Sequence, residues 1–244
     1  MSEGGGSSLE EVLALLEKHG PAVHPARTVE QAASIDVRAS LHLAGVITAA
    51  PAAASWPCDV RGCARELRSS YEGARRPLLA VCSQAPAECM PVELGFDDVA
   101  QQQLSVEALV VAACGLFGAR IERASLARLR DRLPLGESRV PILVATINRL
   151  TTDVFWVGSP RDTDLAAFCM RRERVARATL VLVPTARHVP PEVSARFARG
   201  DYVELRSLAD WLEVREGRLA ARGVGSRSVS EIRDVARIES PAPQ

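Results

Sequence analysis

The feature that most constrains the chain is a set of four cysteines in two local pairs, Cys58-x4-Cys63 and Cys82-x6-Cys89, separated by 18 residues. Soft thiolates brought together by a hairpin can close a tetrahedral site around a metal ion. Such a site stabilises a unit too small to bury a large core. The intervening residues suit that geometry, because Glu66 to Ser70 and Pro77 to Val81 are short strand-like runs joined by Tyr-Glu-Gly-Ala-Arg-Arg. Residues 58–96 are therefore expected to form a hairpin module between two Cys knuckles.

The layout resembles a zinc ribbon, although the usual ribbon knuckle spaces its cysteines by two residues rather than four and six. The resemblance implies a structural Zn²⁺ held by Cys58, Cys63, Cys82 and Cys89. The wider spacing leaves three alternatives open: a distorted ribbon, a substitute ligand such as Asp59 or Glu88, or four reduced cysteines packed as small hydrophobes. Four thiolates would fill the coordination shell, so the site would be structural rather than catalytic. Cys114 and Cys169 lie on apolar helix faces and are expected in the core.

Composition narrows the partners. Thirty basic residues balance thirty acidic ones in 244, which argues against binding dominated by a strong overall basic field. Arg accounts for 29 of the basic residues, and Lys18 is the single lysine, a skew that reads first as coding bias. The amino terminus has neither a basic n-region nor an apolar h-region. There is also no uninterrupted apolar stretch of about 18 residues, so a soluble, cytoplasmic protein is expected, with no membrane partner.

The pattern of apolar residues divides the chain into modules of an α/β protein. Residues 1–7 read as a disordered tail. Residues 8–50 read as a helical module, with a first helix capped by Ser8, a second capped by Thr28 with Gln31 at the reciprocal position, and a third over Val37 to Ala44 closed by Gly45. Thr48 to Pro57 is almost wholly Ala, Pro and Ser and reads as a linker. Residues 97–215 are expected to form a small α/β layer. Its helices run from Leu104 to Leu116, Ile121 to Leu133, Asp164 to Arg174, Pro191 to Ala198 and Leu208 to Val214. Its strands cover Val140 to Ile147, Val154 to Val157, Thr179 to Val183 and Tyr202 to Leu205. Residues 216–244 are left as a carboxy-terminal extension.

Three helices in so short a span match a helix-turn-helix module, with Arg38 and His42 on the outward side of the reading helix. A duplex reader also needs phosphate contacts, yet residues 1–57 carry three basic against six acidic side chains, a net charge near −3. Arg120, Arg123, Arg128, Arg130 and Arg132 on one helix, and Arg171, Arg172, Arg174 and Arg177 near the end of another, could supply the missing charge. Each set also reads as a solvated face.

Familiar catalytic motifs are absent from the sequence: it has no G-x-x-x-x-G-K-[ST] loop, no G-x-G-x-x-G turn and no G-x-S-x-G elbow. Any site in the α/β layer would lie beyond the strand ends, where Ser159, Asp162 and Asp164 follow one strand and Thr185, Arg187 and His188 another. There Asp162 could orient His188 as a general base. His19 and His24 are expected at the surface. The sequence thus favours a non-enzymatic zinc protein with a DNA-associated regulatory or accessory role. The alternatives are a protein-interaction or scaffold subunit, and a hydrolase using the Asp162/His188 rim.

Overall fold

A computed structural model describes residues 9–58, 63–69, 78–84, 89–130, 140–147, 152–175, 177–197 and 202–222. The expectations for residues 1–8, the Tyr-Glu-Gly-Ala-Arg-Arg connection, Asp59, Glu88, residues 131–133 and residues 223–244 lie outside this set. The protein is a mixed α/β structure with several sheets.

The amino-terminal elements are α1 (Leu9–His19), β1 (Val23–Pro25), α2 (Ala26–Ala32), α3 (Ile35–Leu43) and β2 (Ile47–Ala50). Leu9, Val12, Leu13 and Leu16 give α1 one apolar stripe, with Glu10 and Glu11 in its first turn and Lys18 and His19 in its last, each on the side the helix dipole favours. The second helix starts at Ala26 rather than Thr28, directly after Pro25, and has no side-chain cap. Ser34, expected in a break, is instead the N-cap of α3, its hydroxyl accepting from the Val37 amide. Gly45, at φ +70°, closes that helix as expected, a conformation an L side chain would strain.

The expected linker is partly folded, because it carries β2 and then β3 (Ser55–Pro57). Its Ala-rich sequence hides the strands. Ile47 is buried, and the rest of β2 is held by backbone pairing to a distant segment rather than by its own side chains. The module that follows contains β4 (Ala64–Ser69), β5 (Leu78–Val81) and β6 (Val92–Leu94). The expected hairpin is β4–β5, and β3 and β6 flank it in an antiparallel sheet of order β3-β4-β5-β6.

Next come α4 (Phe96–Val99), β7 (Gln101–Leu104), α5 (Val106–Leu116), β8 (Arg120–Ile121) and α6 (Arg123–Arg130). The expected helix from Leu104 therefore starts two residues later, where the Ser105 hydroxyl accepts from the Ala108 amide. Strand β7 lies between β1 and β2, giving an antiparallel sheet of order β1-β7-β2. The cysteine-bearing module is thus inserted between two neighbouring strands of the amino-terminal sheet.

The carboxy-terminal elements are β9 (Ile142–Ile147), β10 (Thr152–Trp156), α7 (Leu165–Glu173), β11 (Ala178–Val183), α8 (Pro191–Phe197), β12 (Val203–Ser207), α9 (Leu208–Trp211), β13 (Leu212–Arg215) and β14 (Arg218–Ala221). A five-stranded sheet runs in the order β12-β11-β10-β9-β8, parallel across β10, β11 and β12 and antiparallel beyond. The last expected helix stops at Trp211 and gives way to the β13–β14 hairpin. Its turn residues Glu216 and Gly217 both have positive φ, as a tight two-residue hairpin requires.

Strand β11 explains why the layers stay together. Its side chains alternate between two cores: Leu180 and Leu182 join Val154, Trp156 and the apolar stripe of α1, whereas Val181 and Val183 pack with Leu165, Cys169, Val193 and Phe197. The first core runs without interruption from Leu9 to Leu212, so the amino-terminal helices and one face of the sheet share it. Cys114 and Cys169 are fully buried as expected, and burial pushes both thiols up to about 12. Among the described residues no helix is long and apolar enough to cross a membrane.

Candidate metal centre

The meander topology places the β3–β4 and β5–β6 connections at the same end of their sheet. Cys58 follows β3 and Cys63 precedes β4, and the Cys58 amide donates to the Cys63 carbonyl at 2.8 Å, drawing the ends of the first knuckle together. Cys82 follows β5 directly, and Cys89 lies in the return towards β6. The four sulfurs therefore gather in one place. Cys63 Sγ is 3.5 Å from Cys82 Sγ, and Cys58 Sγ is 3.8 Å from Cys89 Sγ. The sulfurs of Cys58, Cys63 and Cys82 all lie within 4.8 Å of one another.

These separations suit ligands of a single ion. Four sulfurs at about 2.3 Å from a tetrahedral centre stand roughly 3.8 Å apart, whereas a disulfide needs about 2.0 Å. Cys58, Cys82 and Cys89 are buried and Cys63 is partly exposed. The cluster can hold a metal ion, and among the described residues its donors are sulfurs. Asp59 and Glu88, the substitutes considered above, lie outside the described residues.

Electrostatics make the metal-free cluster a poor thiolate site. The hydrogen bond with Cys82, then burial and Cys58, push the Cys63 thiol up to about 11; burial, then the Cys58 contact, does the same to Cys89. At neutral pH these thiols hold their protons, and a metal must displace them. Loading the four-cysteine site at pH 7 is thus expected to release about four protons per ion. Affinity should strengthen as pH rises towards the thiol range and weaken in acid. Calorimetric titration in buffers of different ionisation enthalpy measures that proton count, and a value near zero contradicts the four-thiol site.

Among the described residues, the apolar packing of this module is small. Its aliphatic core is Ala80, Leu94 and Val99, with Trp56, Leu67, Leu78 and Val92 partly buried around them. A unit of roughly 40 residues with so small a core usually needs disulfides, a metal or a partner to fold.

Beyond the cysteines, the structure separates the residues the sequence had grouped. Arg38 is only 26% exposed and pairs with Glu30 at 3.1 Å, so it is turned along the helices rather than outward; His42 is exposed. Arg120, Arg123 and Arg128 are exposed; Arg130 is the last described residue of α6, and Arg132 lies outside the described residues. The second arginine set is not simply a solvated face. Arg172 and Arg177 reach buried Asp153 at 2.6 and 2.8 Å, and Arg172 also donates to Thr179 and lies over the Phe155 ring.

At the strand-end rim, Asp162 accepts from the Ser159 hydroxyl at 2.8 Å, while the carboxylate beside His188 is Glu17 of α1. Glu17 has a side chain only 4% exposed; its Oε1 lies 2.5 Å from His188 Nδ1, and Thr185 donates to its Oε2 at 2.5 Å. Next to them Arg187 donates to Glu10 and Glu11, which holds the Glu11 carboxyl below its ordinary range. The sequence signal for Glu17 is its place four residues after Leu13, on the apolar stripe. His24, expected at the surface, is buried with its ring 5.3 Å from that of His19; burial and then the His19 charge depress its basicity.

Comparison with known protein families, curated proteins and solved structures finds no match.

Proposed function

We propose that the protein is a non-enzymatic adaptor whose four cysteines hold one structural zinc ion and whose amino-terminal unit docks a protein partner through α3. Zinc is favoured by the donor set, since thiolates alone suit soft or borderline ions and exclude the oxygen-seeking Mg²⁺ and Ca²⁺. Sulfur separations of 3.5 and 3.8 Å support one four-coordinate ion. A closed site of this kind stabilises the inserted sheet and leaves no position for a substrate.

The observation that carries the docking role is the outward side of α3. Ile35 is 72% exposed and Leu43 78%, with exposed Ala39 midway between them, an i, i+4, i+8 apolar stripe. Helical anchors at that spacing are what a protein groove receives. A helix that reads a DNA groove instead offers Arg, Asn or Gln to the base edges, and the one Arg of α3 is engaged with Glu30. Replacing Ile35→Arg together with Leu43→Arg is expected to reduce partner capture at least about tenfold while leaving the circular dichroism spectrum unchanged. Undiminished capture by the double variant contradicts the docking role.

A second reading, duplex DNA as the partner, is favoured by the order of the elements. A helix, a strand, two helices and two further strands, with the sheet ordered first-third-second, follow the plan of a winged helix-turn-helix, and the cysteine module occupies the place of the wing between β2 and β7. Exposed Arg120, Arg123 and Arg128 would then supply phosphate contacts. The two readings separate in one titration. Duplex binding that weakens steeply with salt and falls when Arg123 and Arg128 become Ala supports DNA; no binding at low salt supports the adaptor.

A further inference from the structure

We propose that the cysteine cluster is also an oxidation site, attacked first at Cys63 and closed as two disulfides that cross between the knuckles, Cys63–Cys82 and Cys58–Cys89. Metal release is its consequence and rests on the zinc reading above; the order of attack and the pairing rest on the sulfur geometry alone.

Access selects the first sulfur. Cys63 is the partly exposed member of the cluster, whereas Cys58, Cys82 and Cys89 are buried, as are Cys114 and Cys169 in the main core. Proximity selects the second. Cys82 Sγ stands 3.5 Å from Cys63 Sγ, and the remaining two sulfurs, those of Cys58 and Cys89, stand 3.8 Å apart. Each must move by roughly 1.5–1.8 Å to reach bonding distance. Both pairs join the β3–β4 connection to the β5–β6 connection, so the oxidised module would be tied by two covalent links across the ends that the metal otherwise holds.

With hydrogen peroxide as the oxidant, the chemistry balances in two steps. The Cys63 sulfur attacks one peroxide oxygen, the O–O bond breaks, and the departing hydroxide becomes water with the thiol proton, or with a solvent proton where the metal has displaced it, leaving a sulfenic acid. The Cys82 sulfur then attacks Cys63 Sγ. The S–O bond breaks, the S–S bond forms, and hydroxide leaves as a second water with the Cys82 proton, or with a solvent proton where Cys82 was held as thiolate. Two thiols have lost two electrons and one peroxide has gained them. Cys58 and Cys89 consume a second peroxide in the same way. Once two sulfurs are spent, the cluster keeps too few ligands for a closed site, and the metal is released.

The test uses the full-length purified protein. Its zinc content is measured first, then it is treated with graded hydrogen peroxide and alkylated at intervals. Peptide mass spectrometry locates the modified cysteines, and a chromogenic chelator follows free zinc. The expected result is loss of the Cys63 thiol at least about tenfold faster than that of Cys114 or Cys169, followed by Cys63–Cys82 and Cys58–Cys89 linkages, with one zinc released per chain. Disulfides within a knuckle, Cys58–Cys63 or Cys82–Cys89, overturn the proposal, as does oxidation of Cys114 or Cys169 at the rate of Cys63. Zinc-free starting protein that still forms the crossed pairs supports the oxidation site and overturns the zinc reading. A zinc-loaded protein that forms other pairs does the reverse. Because Cys63→Ser could disturb folding, the wild-type linkage map is the deciding readout. Where that variant folds, it should suppress the Cys82 linkage and slow zinc release at least about tenfold.

Discussion

Cys82→Ser is expected to leave the protein without stoichiometric zinc and with the β3–β6 sheet unfolded, while the main core stays folded. The cluster and its small aliphatic neighbourhood form packing groups distinct from the two cores that meet at β11. Structural zinc contributes on the order of 10 kcal/mol to small cysteine domains at pH 7, more than the few buried aliphatics of this module can replace. The three tryptophans make the outcome readable. Trp56 is partly buried within the module, whereas Trp156 and Trp211 are buried in the main core. In the variant, or on chelation of the wild type, Trp56 emission should shift to the red and amide protection should vanish from β3 to β6. Protection along β9 to β12 should persist. A single cooperative loss of both regions would show that the module and the core are not separable.

The second large effect is expected at Glu17. Its carboxylate is enclosed between α1 and the segment after β11, where it meets Thr185 and His188, so it ties the first helix to the five-stranded sheet. Hydrogen bonds to a charged group are worth about 1.5–3 kcal/mol each, and a buried partner left without one adds a penalty. Thr185 is fully buried, so Glu17→Ala leaves its hydroxyl without that acceptor. A loss of about 3 kcal/mol is expected, a fall of roughly 6–12 °C in Tm for a chain of this size. Glu17→Gln can still accept from Thr185 and should lose less than half as much. Thermal melts of the two variants check this, and equal losses would locate the effect in packing rather than in the carboxylate.

The sequence made the layered core and the cysteine cluster legible for different reasons. Strand β11 is an unbroken apolar run from Leu180 to Val183, a pattern that suits a strand covered on both faces, and it is buried along its whole length. The cysteines were legible because paired thiols flanking a hairpin have few common uses, and the structure brings all four together. Strand β7 was not legible. Gln101, Gln102 and Gln103 carry no alternation, and the strand exists because β1 and β2, distant in sequence, both offer it backbone partners. The same non-local pairing turned the start of an Ala-rich apparent linker into β2, while β3 at its end pairs with the neighbouring β4.

The functional residues divide the same way. Chain separation concealed the partner of His188, since Glu17 lies on the first helix and the rim histidine follows β11. Asp162, close to the rim in sequence, is instead engaged by Ser159 three residues away. Arginines were legible as a count but not as roles: Arg172 and Arg177 enclose Asp153, Arg38 lies against Glu30, and Arg120, Arg123 and Arg128 face solvent. What exposes the outward side of α3 is likewise a packing fact. Ser40 and Leu41 turn inward, which leaves Ile35 and Leu43 facing out.

The most direct test of the account is native mass spectrometry of the purified protein before and after mild acid, paired with elemental analysis. The expected result is one zinc per chain, lost in acid together with the compact charge-state distribution of the β3–β6 module and missing from the Cys82→Ser variant. A wild-type protein that carries no zinc, keeps four reactive thiols at residues 58, 63, 82 and 89, and still protects β3 to β6 from amide exchange would contradict it.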